Sequence, residues 1–148
     1  MGTGPSLQAR AIRYLTRREY SRAELEKKLV PYVQVPGELV VVLDSLEQKG
    51  FISAGRVVEQ VIYMRRKRYG SRRIIHDLRE KGIAEELIAG VLPELRETEL
   101  DAACEVWQKK FGVMPLDARE RGRQIRFMLG RGFEMDMINR VLLNKEEL

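Results

Sequence analysis

Displaced by 49 residues, the sequence overlies itself. Tyr14 falls over Tyr63, Tyr20 over Tyr69, Leu25 over Ile74 and Leu29 over Leu78, and the register continues unbroken through Leu39 over Ile88, Val42 over Val91, Leu43 over Leu92 and Leu46 over Leu95. A third copy follows at a displacement of about 50, with Ile125, Gly132, Ile138, Val141 and Leu142 beneath Ile75, Gly82, Ile88, Val91 and Leu92. Repetition at this period marks a tandem array of one supersecondary unit. Such arrays present long surfaces to partners, whereas chemistry needs convergent side chains around a pocket. One unit of about 45 residues buries too little apolar surface to be stable alone, so the units must share a core or lean on each other.

Each unit reads as three helices, which predicts an all-α fold of three tandem three-helix repeats over residues 7–53, 54–97 and 98–148, forming an elongated, curved array. Leu7, Ala11, Ile12 and Leu15 make the first apolar stripe. Ser21, with Glu24 three residues on, forms the capping box of a second helix whose Leu25 and Leu29 face the core. Pro31 and Pro36 bracket a connector. The run Leu39-Val40-Val41-Val42-Leu43 is as suited to a buried strand as to a helix, but its repeat partner Ile88-Ala89-Gly90-Val91-Leu92 has little β-character. Leu39, Val42, Leu43 and Leu46 also keep the spacing of one helical face, so the segment is assigned to helix.

Gly50, Gly82 and Gly132, each between a cation and Phe or Ile, suit the left-handed turn after a helix. Val57, Val58, Val61 and Ile62 supply the buried face of one unit-two helix, and Ile74, Ile75 and Leu78 that of the next. Leu100, Ala103, Val106 and Trp107 do the same for the first helix of unit three. Aligning Phe111-Gly112 with Tyr69-Gly70 leaves extra residues, read as a loop around Met114-Pro115-Leu116-Asp117.

Charge narrows the partners. The net charge of +5 favours an acidic surface or a nucleic acid. It is distributed as +2, +3 and 0 over the three units. Cys104 and His76 are the only residues of their kinds, so neither a disulfide nor a Cys/His zinc site forms within one chain, and a reducing cytoplasm suits the composition. No apolar stretch approaches the roughly 20 residues of a membrane-spanning helix. The start Met1-Gly2-Thr3-Gly4-Pro5 lacks the apolar region of a secretory signal and reads as a tail. The acid pairs Glu85-Glu86 and Glu146-Glu147 suit helix-dipole and solubility roles, and Gly130-Arg131-Gly132 alone is no phosphate loop. Nothing assembles a nucleophile, base and oxyanion site, so the chain reads as a non-enzyme without cofactor or metal.

The densest signal lies between Met64 and Arg73, where Arg65, Arg66, Lys67, Arg68, Arg72 and Arg73 give six cations and no acid. Helical geometry turns Arg66 and Lys67 outward and lays the stems of Arg65 and Arg68 along the buried stripe. Arg72, His76 and Arg79 form a second basic line, while Asp77 stands four residues after Arg73 and partly neutralises it. Such a cluster suits nucleic-acid phosphates; the alternative is a solvated face that keeps the protein soluble. Tyr63 and Tyr69 are suited to stacking on unpaired bases, but their repeat partners Tyr14 and Tyr20 favour a core role. His76 reads as a solvated helix residue, and Cys104 and Trp107 as core residues.

The segment Tyr69-Gly70-Ser71-Arg72-Arg73-Ile74-Ile75-His76-Asp77-Leu78-Arg79-Glu80-Lys81-Gly82-Ile83 resembles the Y-G-x-x-R-I-x-x-x-L-x-x-K-G-I pattern of the bacterial RecX family. Arg13, Leu15, Arg18, Ser21, Glu24, Leu25, Lys28 and Leu29 resemble that family's opening unit, Leu46, Gly50 and Phe51 its first turn, and Arg126, Phe127, Arg131, Gly132 and Phe133 its third unit. The resemblance spans roughly residues 9 to 142. It implies a regulator that lies in the groove of the RecA filament on single-stranded DNA and restrains its ATPase, coprotease and strand-exchange activities. Arg65, Arg66, Lys67, Arg68, Arg72, Arg73 and Arg79 would then face DNA phosphates or acidic RecA surface.

After the first turn this sequence departs from the family. Ser53-Ala54-Gly55-Arg56-Val57-Val58 replaces the usual acidic pair followed by Arg-Phe-Ala, which removes a carboxylate cap and an aromatic from the junction of units one and two. A monomer is expected. Two other readings are a helix-turn-helix DNA-binding transcriptional regulator, which needs base-reading side chains and usually a two-fold dimer, and a helical adaptor that binds protein only.

Overall fold

Ser6, whose hydroxyl accepts from the Ala9 amide at 3.1 Å, starts α1 (Leu7–Leu15), the first helix of an all-helical chain. The computed structural model describes the backbone of residues 4–147 and the side chains of residues 4–143, so Met1 to Thr3 and the side chains of Glu146 and Glu147 lie outside the described residues. Ser21 and Glu24 form the expected capping box of α2 (Arg22–Leu29). Pro31 sits in a single 3-10 turn at Val30–Tyr32 before α3 (Glu38–Gln48), which contains the valine run as a helix. Leu7, Ala11, Tyr20, Leu25, Leu43 and Leu46 close the first core.

The departure after the first turn does not leave the next helix uncapped. The Ser53 hydroxyl accepts from the Arg56 amide at 3.2 Å and starts α4 (Ala54–Arg65), so a neutral oxygen does what the lost carboxylate would have done. Arg56 then bridges the junction, donating to Glu19 Oε1 at 2.8 Å and to the Gly50 carbonyl at 2.6 Å. Helix α5 (Ser71–Glu80) follows, and Val57, Val58, Ile74, Leu78, Ile83 and Ile88 form the second core.

Units two and three share a helix. α6 (Glu85–Lys110) runs for 26 residues across the expected boundary between 97 and 98. Its first half buries Ile88 and Leu95 in the second core, and its second half buries Ala103, Val106 and Trp107 in the third. The segment from Glu94 to Leu100 consists almost wholly of good helix formers, and Pro93 alone does not stop it. After the expected loop, Asp117 caps α7 (Ala118–Gly130), accepting from the Glu120 amide at 2.8 Å. α8 (Met135–Glu147) packs against both α6 and α7. The buried Trp107 indole donates to Gln124 Oε1 at 2.8 Å, and the Gln124 amide donates in turn to the Val113 carbonyl at 3.0 Å, tying the loop to the core.

The units are joined twice in the same way. The turn after α5 places Gly82 at φ 75° and sets the Lys81 carbonyl to accept from Ser21 Oγ, at the start of α2, at 2.6 Å. The turn after α7 places Gly132 at φ 95° and sets the Arg131 carbonyl to accept from the Gly70 amide, at the start of α5, at 2.8 Å. Ser21 and Gly70 are 49 residues apart, and Lys81 and Arg131 are 50 apart, so the joint repeats with the sequence. Only glycine reaches these backbone angles without the steric cost of a Cβ.

Candidate nucleic-acid interface

The six cations between Met64 and Arg73 straddle the turn from α4 to α5 rather than one helix. Arg65 ends α4, Lys67 and Arg68 occupy the turn, and Arg72 and Arg73 stand in the first turn of α5. The structure divides them into three groups.

Arg66 is turned inward, against the expectation from helical spacing. Its side chain is 14% exposed, and Nη2 donates to the Leu95 carbonyl at 2.6 Å, to Thr98 Oγ1 at 3.0 Å and to Glu99 Oε2 at 3.2 Å. The reason is tertiary: α6 passes behind the α4 C-terminus and offers a carbonyl and a buried carboxylate. Glu99 also accepts from the Ser71 amide at 3.0 Å and from the Ser71 hydroxyl. Burial pushes the Glu99 carboxyl above the usual range and Glu134 adds to the push, while Ser71 and Arg66 oppose it. Arg66 is therefore a bracket between α4, α5 and α6.

Arg65, Arg73 and Arg79 are paired. The Nε atoms of Arg65 and Arg73 each lie 3.5 Å from the Asp77 carboxylate, the second being the pair that the spacing predicted. Arg79 meets Glu85 at 2.8 Å. The remaining three, Lys67, Arg68 and Arg72, are exposed and form no ion pair among the described residues.

Lys67 and Arg68 meet cations that the sequence reading did not single out for binding. Together with Lys109, Lys110 and Arg131 they line a cleft of about 260 Å³ floored by Val106 and Phe127, and no acid lines it among the described residues. Lys110 and Arg131 lie 5.1 and 5.0 Å from the centroid of Phe127, within cation–π range. Lys109 and Lys110 end α6, where cations also complement the helix dipole. Their pairing in sequence was visible, but only the long shared helix carries them back beside the unit-two turn. Low dielectric walls and a single sign of charge strengthen the field in such a cleft.

The two tyrosines part company. Tyr69 is half-buried, with the guanidinium carbons of Arg73, Arg131 and Arg65 at 4.8, 5.2 and 5.6 Å from its ring centroid. Tyr63 is 74% exposed, which overturns its expected core role. Its repeat counterpart Tyr14 packs on Tyr20 with centroids 5.5 Å apart, whereas the Tyr69 ring is engaged by arginines instead. His76 is exposed with Glu80 3.6 Å away, Trp107 is buried, and Cys104 packs at the edge of the third core. Among the described residues no cluster of His, Cys, Asp and Glu is placed to hold a metal, and no helix is long and apolar enough to cross a membrane.

This arrangement can be compared with known proteins. Residues 55–92 match the model of the RecX second three-helix domain, and residues 97–142 that of the RecX third three-helix domain. The regulatory protein RecX of Leptothrix cholodnii is 45% identical over 137 residues, covering 93% of this chain and 87% of that protein. The chain belongs to the RecX family. The regulatory protein RecX of Ralstonia pickettii is 39% identical over 143 residues, covering 97% of this chain and 90% of its own. The crystal structure of RecX from Lactobacillus salivarius superposes with a TM-score of 0.80 at 15% identity, over 96% of both chains, so the RecX fold persists where sequence has diverged. In RecX terms the cleft lies between the second and third three-helix domains, with Lys67 and Arg68 from one and Lys109, Lys110 and Arg131 from the other.

Proposed function

We propose that this chain is a regulator of the RecA recombinase, acting in the cytoplasm by binding rather than by catalysis. It engages the RecA filament on single-stranded DNA and lowers its ATPase, coprotease and strand-exchange activities. Membership of the RecX family, whose members carry the name regulatory protein, supports the class. The observation that carries the reading is the cationic cleft across the joint of units two and three, where five cations converge with no acid between them among the described residues.

Within the cleft and beside it, Lys67, Arg68, Lys109, Lys110 and Arg131 neutralise phosphates, with Arg72 extending the line along α5. Arg65, Arg73 and Arg79 contribute less, because each already shares its charge with a carboxylate. Arg66 contributes by holding the turn in place. A helix-turn-helix reader of duplex sequence is less well supported, because the turn after α7 covers the start of α5, where base-reading side chains would enter the groove: the Arg72 amide donates to the Gly132 carbonyl at 3.2 Å, and a Cβ on Gly70 would lie 2.5 Å from that carbonyl. A monomer suffices, since three units in one chain already form the extended surface.

The test is a titration of the purified chain into RecA hydrolysing ATP on single-stranded DNA. Hydrolysis falls at or below stoichiometric amounts if the reading holds. Unchanged hydrolysis across a full titration of folded protein removes it.

A further inference from the structure

Tyr63 carries the most exposed aromatic ring among the described residues, and Met64 beside it is 66% exposed. The buried face of α4 is formed by Val57, Val58 and Val61, and at about 100° per residue Tyr63 points nearly the opposite way. This is the face where an amphipathic helix normally places charge. No ring of the described residues stacks on Tyr63.

Its surroundings state what it suits. Lys67 stands four residues after Tyr63 and Arg68 four after Met64. Helical spacing persists through the turn, because the Arg66 amide donates to Ile62 and the Tyr69 amide to Arg65, both at 2.9 Å. Each exposed apolar side chain is thus followed, one turn on, by a cation with no acid partner. An aromatic face one helical turn, about 5.4 Å, from unpaired cations matches the alternation of base and phosphate in a single strand. A protein partner would need acidic side chains at that spacing, whereas a nucleic acid supplies one phosphate per base. Duplex bases are already stacked on one another and leave the ring nothing to cover.

We infer that Tyr63 is a base-stacking residue, which holds an unpaired nucleobase while Lys67 and Arg68 hold the neighbouring phosphates. The inference rests on the proposed single-strand binding and adds to it a contact that reads the base rather than the charge. Stacking of this kind is worth about 1–3 kcal/mol per base by alanine substitution, or about 5- to 150-fold in affinity.

The experiment compares the full chain with Tyr63→Ala and Tyr63→Phe by fluorescence anisotropy. The probes are a labelled oligothymidine and an abasic oligomer of the same length, which keeps the phosphates and lacks the bases. Tyr63→Ala weakens binding to oligothymidine by about 5- to 150-fold and leaves the abasic oligomer and the salt slope unchanged, while Tyr63→Phe binds like the unaltered chain. Circular dichroism checks that the exposed substitution leaves the helices intact. An equal loss on both oligomers, or no loss on either, overturns the stacking role while phosphate binding stands. If the unaltered chain binds neither oligomer, phosphate binding and stacking are both refuted.

Discussion

Gly70 and Gly132 meet backbone to backbone: a Cβ on Gly70 would lie 2.5 Å from the Gly132 carbonyl, and one on Gly132 would lie 2.7 Å from Arg73. The contact brings the start of α5 against the turn after α7, and with it Arg131 beside Lys67 and Arg68. The cationic cleft therefore depends on a joint that has no room for a methyl group.

Alanine at either glycine should loosen this joint. Gly70→Ala is expected to cost on the order of 2 kcal/mol from overpacking, and Gly132→Ala more, because φ 95° adds backbone strain. Gly90→Ala, in a helix with nothing within 4 Å of the added Cβ, is the control and should be neutral or stabilising. Urea unfolding measures all three, and equal midpoints would show the joint to be soft.

Arg66 and Lys67 are neighbours with opposite expected behaviour. Arg66→Ala leaves Glu99 buried without its cation and should cost about 3 kcal/mol, while Lys67→Ala should stay within about 0.5 kcal/mol. Arg66→Lys should recover little of the loss, because one ammonium does not reproduce a fork whose Nη1 reaches Ser71 Oγ while Nη2 reaches Leu95, Thr98 and Glu99. Thermal unfolding separates these outcomes.

Binding should divide the same cations differently. Removing Lys67 and Arg68 together is expected to shrink the slope of log affinity against log salt by about 1.4 for a single strand. Replacing Arg79, already paired with Glu85, should change the slope by less than either. Anisotropy titrations over a salt series measure the slopes, and an identical slope in the double variant would exclude these residues from phosphate contact.

The joint of units one and two should respond to acid. Burial would raise the Glu24 carboxyl, but hydrogen bonds from Arg18, the Ser21 amide and Lys81 outweigh it and hold it at about 2. A carboxyl depressed in the folded state contributes stability above its unfolded value, and loses it as pH falls through the folded one. Stability should therefore decline between about pH 5 and pH 2, by on the order of 2–3 kcal/mol from this group. Glu99, raised by burial, acts in the opposite sense and gains on acidification. Urea unfolding of Glu24→Gln across this range should show a flatter decline, and an unchanged pH profile would assign the acid sensitivity elsewhere.

Much of the architecture was legible in the repeat. Helical spacing and the repeat together placed core residues such as Leu25, Leu46, Val58 and Leu78, and local signatures placed the capping box at Ser21, the left-handed glycines and the loop before α7, because these depend on local spacing and backbone chemistry. The valine run of α3 was legible only through its repeat partner, since the residues themselves suit a strand as well. At the candidate site the sequence turned Lys67 outward, as it is found, and marked Asp77 as the partner of Arg73, but it laid the stem of Arg68 along the buried stripe, where the structure leaves that side chain exposed. It placed Arg66 on the wrong side and Tyr63 in the core.

Local spacing determined which residues turn toward their own unit's core, because helix geometry repeats every 3.6 residues whatever lies beyond the helix. Only the tertiary structure decided which cations remain available, because that depends on carboxylates and carbonyls brought near from distant sequence. Glu99, 33 residues after Arg66, takes that guanidinium inward, while α6 returns Lys109 and Lys110 to the side of Lys67. A charge is neutralised by what lies a few ångströms away in space, and no run of six cations states which of them will find a partner.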